Sequence, residues 1–307
     1  MKSIRQKIEE KLNAEGIIKK IVDDLPNTEL NSLYLELFKE QSSKINPSDL
    51  VKQYSENRFT KPSPLNIIDY KKYEIKWLEK SAWHGFEPVL LSPLTPLGTC
   101  SVAGLVDQNN IVSAVRGTEV VSDATNVLAL LMADKFKTDK TKQVIRYSTT
   151  HRHTRAQYFT NPAFSAHFGA FCMVSGGYDT GSFLFEINEL RDHLKFYLEL
   201  LSAEFDNNVI VKIYFKTDRE DFKQNLIAAV KDITQPFKII TDAQDHIKDY
   251  YETVRIKIFI NYKEQEIDLV DMGFVNWTQT LLNNKKHRML ISGGGLELIY
   301  KIKTGLI

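Results

Sequence analysis

Two arginines three residues apart could bind an anion. Arg152 and Arg155 lie in the stretch Thr-Thr-His-Arg-His-Thr-Arg, which follows a strand predicted for Val144–Ser148. A guanidinium group presents a planar fork of hydrogen-bond donors that matches phosphate or carboxylate. The pair therefore predicts either an anion-binding loop or, as the plainer alternative, a solvated basic loop held by salt bridges.

The neighbouring histidines and the cysteines do not suggest a metal site. We expect the side chains of His151 and His153 to point in opposite directions along an extended segment, so that they do not share a metal ion. Cys100 and Cys172 are far apart and lie in or near apolar segments. This usage does not suit a disulfide framework or a zinc site, and it fits free thiols in a reducing cytosol.

Composition indicates an ordinary globular protein. The 307 residues are 43% apolar and 26% charged, and the net charge is +1. Such a balance gives no general attraction to duplex nucleic acid or to acidic membranes. The charged start does not resemble a signal peptide, and no apolar stretch approaches the ~20 residues that span a bilayer. We expect a soluble, cytoplasmic protein without a membrane partner.

The pattern of elements divides the chain into two parts. Apolar residues at helical spacing predict helices throughout residues 1–64, and Pro62 and Pro64 mark the break that follows. Residues 65–307 alternate helices with long, mostly antiparallel strands, which is typical of an α+β domain. We predict a six- or seven-stranded antiparallel sheet flanked by helices. The clearest predicted strands are Phe168–Ser175, Val209–Phe215, Arg255–Tyr262, Glu266–Val270 and Arg288–Ile291.

The order of five short motifs resembles the catalytic core of class II aminoacyl-tRNA synthetases, most closely the histidyl branch. The resemblance covers roughly residues 70–302. The matching segments are KSAWHGFEPVLLSP at 80–93, either AVRGTE at 114–119 or SDATNV at 122–127, Arg152 with the returning strand at Phe168, HIKDYY at 246–251, and GLEL at 295–298.

This resemblance implies an ATP site whose cations are partly lost. In the family, three arginines hold the ATP phosphates and offset charge in the transition state. Arg152 matches the first of them, His246 stands in place of the second with Lys248 close by, and Leu298 replaces the third. Thr154 stands in the position of the family's glutamate, which would help to hold adenine. We also expect no anticodon-binding domain, and therefore no charging of tRNA.

Further candidate ligand contacts follow from the same resemblance. Thr118 and Glu119 could recognise an amino group or hydroxyl, with a cap or turn role as the alternative. Tyr250 and Tyr251 precede a strand, and we expect one to line the pocket and the other to pack in the core. We expect Asp271 and Gly273 at the end of a hairpin to face the same cavity. Gly294, within the glycine triplet, either allows close approach of a ligand or serves strand packing.

Three functions remain open at this point. The first is a synthetase-like paralogue that binds a small amino-acid- or nucleotide-like ligand as a regulatory or accessory subunit, assembled as a homodimer and with a partner protein. The second is a ligase that forms an adenylate and joins an amino acid to an acceptor other than tRNA. It would need ATP and Mg²⁺, with Arg152 and Lys248 as catalytic cations. The third is a structural dimerisation module with a filled pocket.

Overall fold

The computed structural model describes residues 2–140, 143–158, 165–241 and 250–307, with only the backbone of Asn207. Within these ranges, no helix combines the length and the apolar character needed to cross a bilayer. His246 and Lys248 lie outside the described residues, and so does most of the segment around them.

Helices occupy the first part of the chain, as the periodicity of residues 1–64 predicts. The first begins with a capping box, in which Ser3 and Gln6 exchange side-chain and backbone hydrogen bonds. The helices before the sheet are α1 Ile4–Lys11, α2 Ile17–Asp24, α3 Asn27–Ser42, α4 Pro47–Glu56 and α5 Ile67–Trp83.

Strands and helices then alternate. The strands are β1 Glu87–Pro88, β2 Leu94–Pro96, β3 Ser113–Ala114, β4 Thr118–Val120, β5 Ile145–Thr154, β6 His167–Tyr178, β7 Val209–Phe215, β8 Lys238–Ile240, β9 Glu252–Tyr262, β10 Gln265–Val275 and β11 His287–Gly294. The helices between and after them are α6 Ala124–Asp139, α7 Leu184–Phe205, α8 Glu220–Thr234, α9 Trp277–Leu282 and α10 Leu296–Lys303.

The main sheet confirms the predicted α+β class. Its strand order is β1-β5-β6-β11-β10-β9-β7-β8, and the six strands from β5 to β7 pair antiparallel. The short strands β1 and β8 add one parallel pairing at each edge, which the sequence did not predict. A small second sheet has the order β2-β4-β3.

Each face of the main sheet packs against its own helices. Alternate residues of a strand point to opposite faces. In β11, Leu290 joins a core with Trp77 of α5 and Leu194 of α7. Its neighbour Ile291 instead joins a second core with Leu128 of α6. We call these the α7 face and the α6 face.

Most of the predicted strands are longer in the structure, and β5 and β10 extend furthest beyond the prediction. β5 continues through the polar stretch to Thr154, because β6 pairs with it from Ile145 to Thr154. β10 continues through Asp271 to Val275 and pairs with β11 over that part. The prediction of a loop at 149–154 and of a hairpin end at Asp271 was therefore wrong. Polar side chains do not prevent pairing, since a sheet is joined through the backbone.

Candidate functional site

A cleft of about 400 Å³ opens on the α6 face of the main sheet. Its walls come from β5, β6, β9, β10 and β11, from the beginning of α6 and from the residues just before β9. The lining residues are Asp123, Thr125, His153, Arg155, Phe168, Ala170, Cys172, Tyr250, Tyr251, Arg255, Asp271 and residues 291–295.

Strand register brings these residues together from distant parts of the chain. His153 of β5 lies opposite Phe168 of β6. Cys172 of β6 lies opposite Gly293 of β11, which in turn lies opposite Asp271 of β10. Residues directly opposite each other project to the same face. The cleft is therefore built across neighbouring strands, and no single sequence motif contains it.

Asp271 is held in place by an arginine. Arg255 donates to both of its carboxylate oxygens, at 2.9 and 2.5 Å. The Arg255 side chain is 5% exposed and the Asp271 side chain is 34% exposed, so the carboxylate is the part of the pair that solvent or a ligand reaches. The Arg255 guanidinium also lies over the ring of Tyr251, 5.3 Å from its centroid.

Tyr250 and Tyr251 both line the cleft, rather than one of them alone. Their rings pack edge to face with centroids 4.7 Å apart, and burial raises the pKa of both phenols. Gly273 leaves the space that the ring of Tyr251 occupies. A Cβ at that position would lie 2.5 Å from Cδ1 of Tyr251 and 2.8 Å from the carbonyl oxygen of Val254. Gly273 thus positions Tyr251 and is not among the residues that line the cleft.

Arg155 supplies a second cation at the cleft. It follows β5 directly, and its backbone N–H donates to the carbonyl of Ala166, which extends the strand pairing by one residue. Its side chain is half-buried and lies over the ring of Phe168, 5.3 Å from the centroid. Its Nε donates to the carbonyl of Ser122 at a long 3.5 Å. Its donors are therefore only weakly engaged by the described residues.

His153 and Cys172 form the buried floor of the cleft beside the beginning of α6. Nε2 of His153 accepts a hydrogen bond from the N–H of Ala124 at 3.0 Å and lies 3.9 Å from Sγ of Cys172. Burial lowers the pKa of His153 to about 3 and raises that of the Cys172 thiol. Asp123 caps α6 through Oδ1, which accepts from the N–H of Thr125, and lines the same cleft.

Arg152 lies on the opposite face of the sheet. Its Nη1 donates to Oε2 of Glu297 at 3.1 Å, and its Nε donates to Nδ1 of His167 at 2.7 Å. Glu297 is 2% exposed and also accepts from Ser63, from the backbone of Gly169 and from Lys301. The two arginines of the motif therefore have different environments.

Thr118 and Glu119 are engaged by neighbouring protein groups. Glu119 is fully buried and accepts from the backbone N–H groups of Gly98 and Cys100, at 2.8 and 2.9 Å. Its Oε2 also accepts from Gln108 at 3.0 Å. The Thr118 hydroxyl donates to the carbonyl of Val115 at 2.9 Å. Neither residue lines the cleft. Glu119 holds the segment that follows β2, and Thr118 holds the turn between β3 and β4.

The expected directions of His151 and His153 were wrong. Residues two apart in a strand project from the same face, and the two ring centroids are 6.0 Å apart. Of the predicted ligand contacts, the cleft brings together Arg155, Tyr250, Tyr251, Asp271 and Gly294. Sequence reasoning did not identify a ligand role for Asp123, Thr125, His153, Phe168, Cys172, Arg255, Ser292 or Gly293. Correct alternation along β5 was the signal that could have found His153.

The architecture defines a class of fold. The chain has a class II aminoacyl-tRNA synthetase-like fold, with a central antiparallel sheet flanked by helices. No protein-family model matches the sequence, and no curated protein matches it. The fold is therefore established by solved structures alone.

Those structures include synthetases and a regulatory protein. An ATP phosphoribosyltransferase regulatory subunit/histidyl-tRNA synthetase from Bacillus halodurans matches with a TM-score of 0.61 and 13% identity, over 80% of this chain and 83% of that one. The apo histidyl-tRNA synthetase of S. aureus matches with a TM-score of 0.60 and 12% identity, over 80% and 69%. A histidine–tRNA ligase subunit from Alicyclobacillus acidocaldarius matches at 0.58 and 10%, over 80% and 96%.

Proposed function

We propose that this protein is a synthetase-like paralogue that does not charge tRNA. It binds a small amino-acid-like ligand in the cleft and acts as a regulatory or accessory subunit. The observation that carries the proposal is the charge arrangement of the cleft, where two arginines and two aspartates line one space of about 400 Å³. A free amino acid carries one charge of each sign, so both of its ends find a partner there.

The carboxylate end of the ligand belongs beside Arg155. Among the described residues, this guanidinium makes a single, long side-chain hydrogen bond, to a backbone carbonyl, so a carboxylate gains strong charge-assisted hydrogen bonds from it. The beginning of α6 lies at the same cleft, through Asp123 and Thr125. The partial positive charge of a helix N-terminus adds to the attraction for an anion.

The ammonium end belongs beside Asp271. Its partner Arg255 fixes the carboxylate in position through two hydrogen bonds, so little ordering is needed when a ligand binds. The rings of Tyr250 and Tyr251 line the same cleft. Aromatic faces attract a cationic group, which supports the same orientation.

The described residues favour an amino acid over ATP. A triphosphate requires several fixed cations. Arg152 is engaged with Glu297 on the other face, and Leu298 follows Glu297 where the family has an arginine. These contacts argue against the adenylate-forming ligase, for which Arg152 was a catalytic candidate. The cleft carries charged and polar side chains, which argues against a purely structural dimerisation module with a filled pocket.

A subunit role is supported by the match to a regulatory protein and by exposed apolar side chains. One of the structural neighbours carries the name of a regulatory subunit. Near the edge strand β1, Trp83 is 89% exposed and Leu90 is 97% exposed. Large exposed apolar side chains of this kind mark sites of protein association. We propose that this edge holds a second copy of the chain, and light scattering after size exclusion tests that assembly.

The test is calorimetry with each amino acid, with ATP–Mg²⁺, and with both together. We expect heat from one amino acid or a related zwitterion without ATP, and loss of that heat in Arg155→Met. The matched control is Arg219→Met, because Arg219 pairs with Asp221 on the surface. ATP binding with pyrophosphate exchange would contradict the proposal in favour of the ligase. Absence of heat from every amino acid and from ATP–Mg²⁺ would contradict it in favour of the dimerisation module.

A further inference from the structure

Three side chains of metal-ligating type converge at the floor of the cleft. They are Asp123 at the beginning of α6, His153 of β5 and Cys172 of β6. Their ligand atoms lie within 4.8 Å of one another, and His153 and Cys172 are buried. Twenty-nine residues lie between the first two in sequence and eighteen between the last two, so the three do not form a recognisable metal-binding motif.

The separations suit a single small ion. A tetrahedral zinc ion holds sulfur at about 2.3 Å and nitrogen at about 2.0 Å, which places these two ligand atoms roughly 3.5 Å apart. Sγ of Cys172 and Nε2 of His153 are 3.9 Å apart. A shift of a few tenths of an ångström would bring both atoms into coordination. A carboxylate oxygen of Asp123 lies within 4.8 Å of both atoms and would complete the set of ligands.

From this geometry we propose that Asp123, His153 and Cys172 bind one divalent transition-metal ion, zinc in preference to calcium or magnesium. A thiolate, an imidazole and one carboxylate form a ligand set for zinc or cobalt, whereas calcium and magnesium take oxygen ligands. This assignment differs from the expectation drawn from the sequence, where neither the histidines nor the cysteines suggested a metal.

The protonation states of the ligands agree with such an ion. Nε2 of His153 accepts the N–H of Ala124, so this nitrogen carries the lone pair that a metal needs, and the ion would replace that N–H as its partner. The other ring nitrogen is buried without a hydrogen-bond partner among the described residues. A bound dication deprotonates a coordinating thiol outright. The thiolate and the carboxylate then offset the two positive charges, which suits a buried site.

Three protein ligands leave a fourth position on the ion. In zinc sites this open position takes water or a ligand group, and here it would face the cleft that the same residues line. An amine or a carboxylate oxygen is the group that would occupy it. The metal site rests on the chain's own residues alone, so it stands or fails independently of amino-acid binding.

The experiment uses the full chain, freed of metal with a chelator and titrated with Co²⁺ and Zn²⁺ without any amino acid. We expect one equivalent of Co²⁺ to give visible absorption bands with a thiolate-to-cobalt charge-transfer band, and Zn²⁺ to displace it. Cys172→Ser should remove the charge-transfer band, and Asp123→Asn should weaken binding at least roughly 10-fold. The matched control is Cys100→Ser, which removes the other buried cysteine and should leave the spectrum unchanged.

Each other outcome overturns the site. Failure of the metal-free protein to bind Co²⁺ or Zn²⁺ would show that these residues hold no metal. A charge-transfer band that survives in Cys172→Ser would show the same. Loss of the band in Cys100→Ser instead would place the ion elsewhere. If Cys172→Ser does not fold, as judged by circular dichroism, Asp123→Asn decides, because Asp123 is half-buried and asparagine keeps its shape; unchanged affinity in that variant rejects the site.

Discussion

The two arginines of the motif at 152–155 lie in opposite environments, although only two residues separate them. On the α7 face, Arg152 contacts Glu297, which accepts from three further groups. On the α6 face, Arg155 lines a cleft, lies over the ring of Phe168 and makes one long hydrogen bond to a carbonyl oxygen within the described part of the chain. An odd spacing along extended chain sends two side chains to opposite faces. A basic motif in a strand is therefore two separate features, one structural and one available to a ligand.

The largest effect should come from removing the anion on the α7 face. Glu297→Ala leaves the guanidinium of Arg152, the ammonium of Lys301 and the N–H of Gly169 without their acceptor. Losing one partner of a buried charged network costs about 3 kcal/mol, and urea denaturation would measure it. Glu266→Ala is the control, because Glu266 pairs with Lys212 at the surface and is 40% exposed. Equal losses in the two variants would contradict the structural role of Glu297.

The second effect separates the arginines directly. Arg155→Met should weaken amino-acid binding by roughly 10- to 100-fold, the loss of a charge-assisted contact, and change unfolding little. Arg152→Met should do the reverse, lowering the free energy of unfolding by about 1 kcal/mol because its pair is partly exposed. Calorimetry measures the ligand affinity of both variants, and urea denaturation measures their free energies of unfolding. If only Arg152→Met weakened amino-acid binding, Arg152 and not Arg155 would be the arginine that contacts the ligand.

A smaller effect should follow when the cleft is disturbed from behind. In Gly273→Ala the new Cβ meets Tyr251 at 2.5 Å and the Val254 carbonyl at 2.8 Å, so Tyr251 must move towards the cleft. Overpacking of this kind costs typically 1–3 kcal/mol, and the affinity for the amino acid should fall with it. Gly117→Ala serves as the control, because its Cβ would meet nothing within 4 Å, although its φ of +66° adds backbone strain. Unchanged ligand affinity in Gly273→Ala would show that Tyr251 does not shape the site.

The smallest effect concerns pH. Burial alone would raise the pKa of Glu297, but hydrogen bonds from Lys301, Ser63 and the Gly169 backbone outweigh it and hold the pKa below its ordinary value of 4.5. A carboxyl with a lowered pKa in the folded state stabilises the protein above that ordinary value, and the stabilisation is lost as pH falls through the folded pKa. Urea denaturation between pH 7 and pH 3 should show a shallower acid loss in Glu297→Gln than in the unchanged protein. If stability fell equally with pH in both proteins, Glu297 would not contribute to the loss of stability in acid.

The sequence by itself determined the local elements and their order. Helical periodicity identified the helices of residues 1–64, because it depends only on residues close together in sequence. Alternation identified β7 and β9. Five motifs in order indicated the class of fold, which the solved structures confirm.

Only the tertiary structure decided which polar groups remain available. The sequence allowed Glu119 to be a ligand contact. In the structure its carboxylate instead accepts hydrogen bonds from the backbone N–H groups of Gly98 and Cys100. Asp123, His153 and Cys172 meet through the pairing of β5 with β6 and the packing of α6. The physical reason is that strand register sets the direction of every side chain on a sheet, and register depends on partners far away in sequence. A motif specifies which chemical groups are present, and pairing across strands specifies what each group contacts.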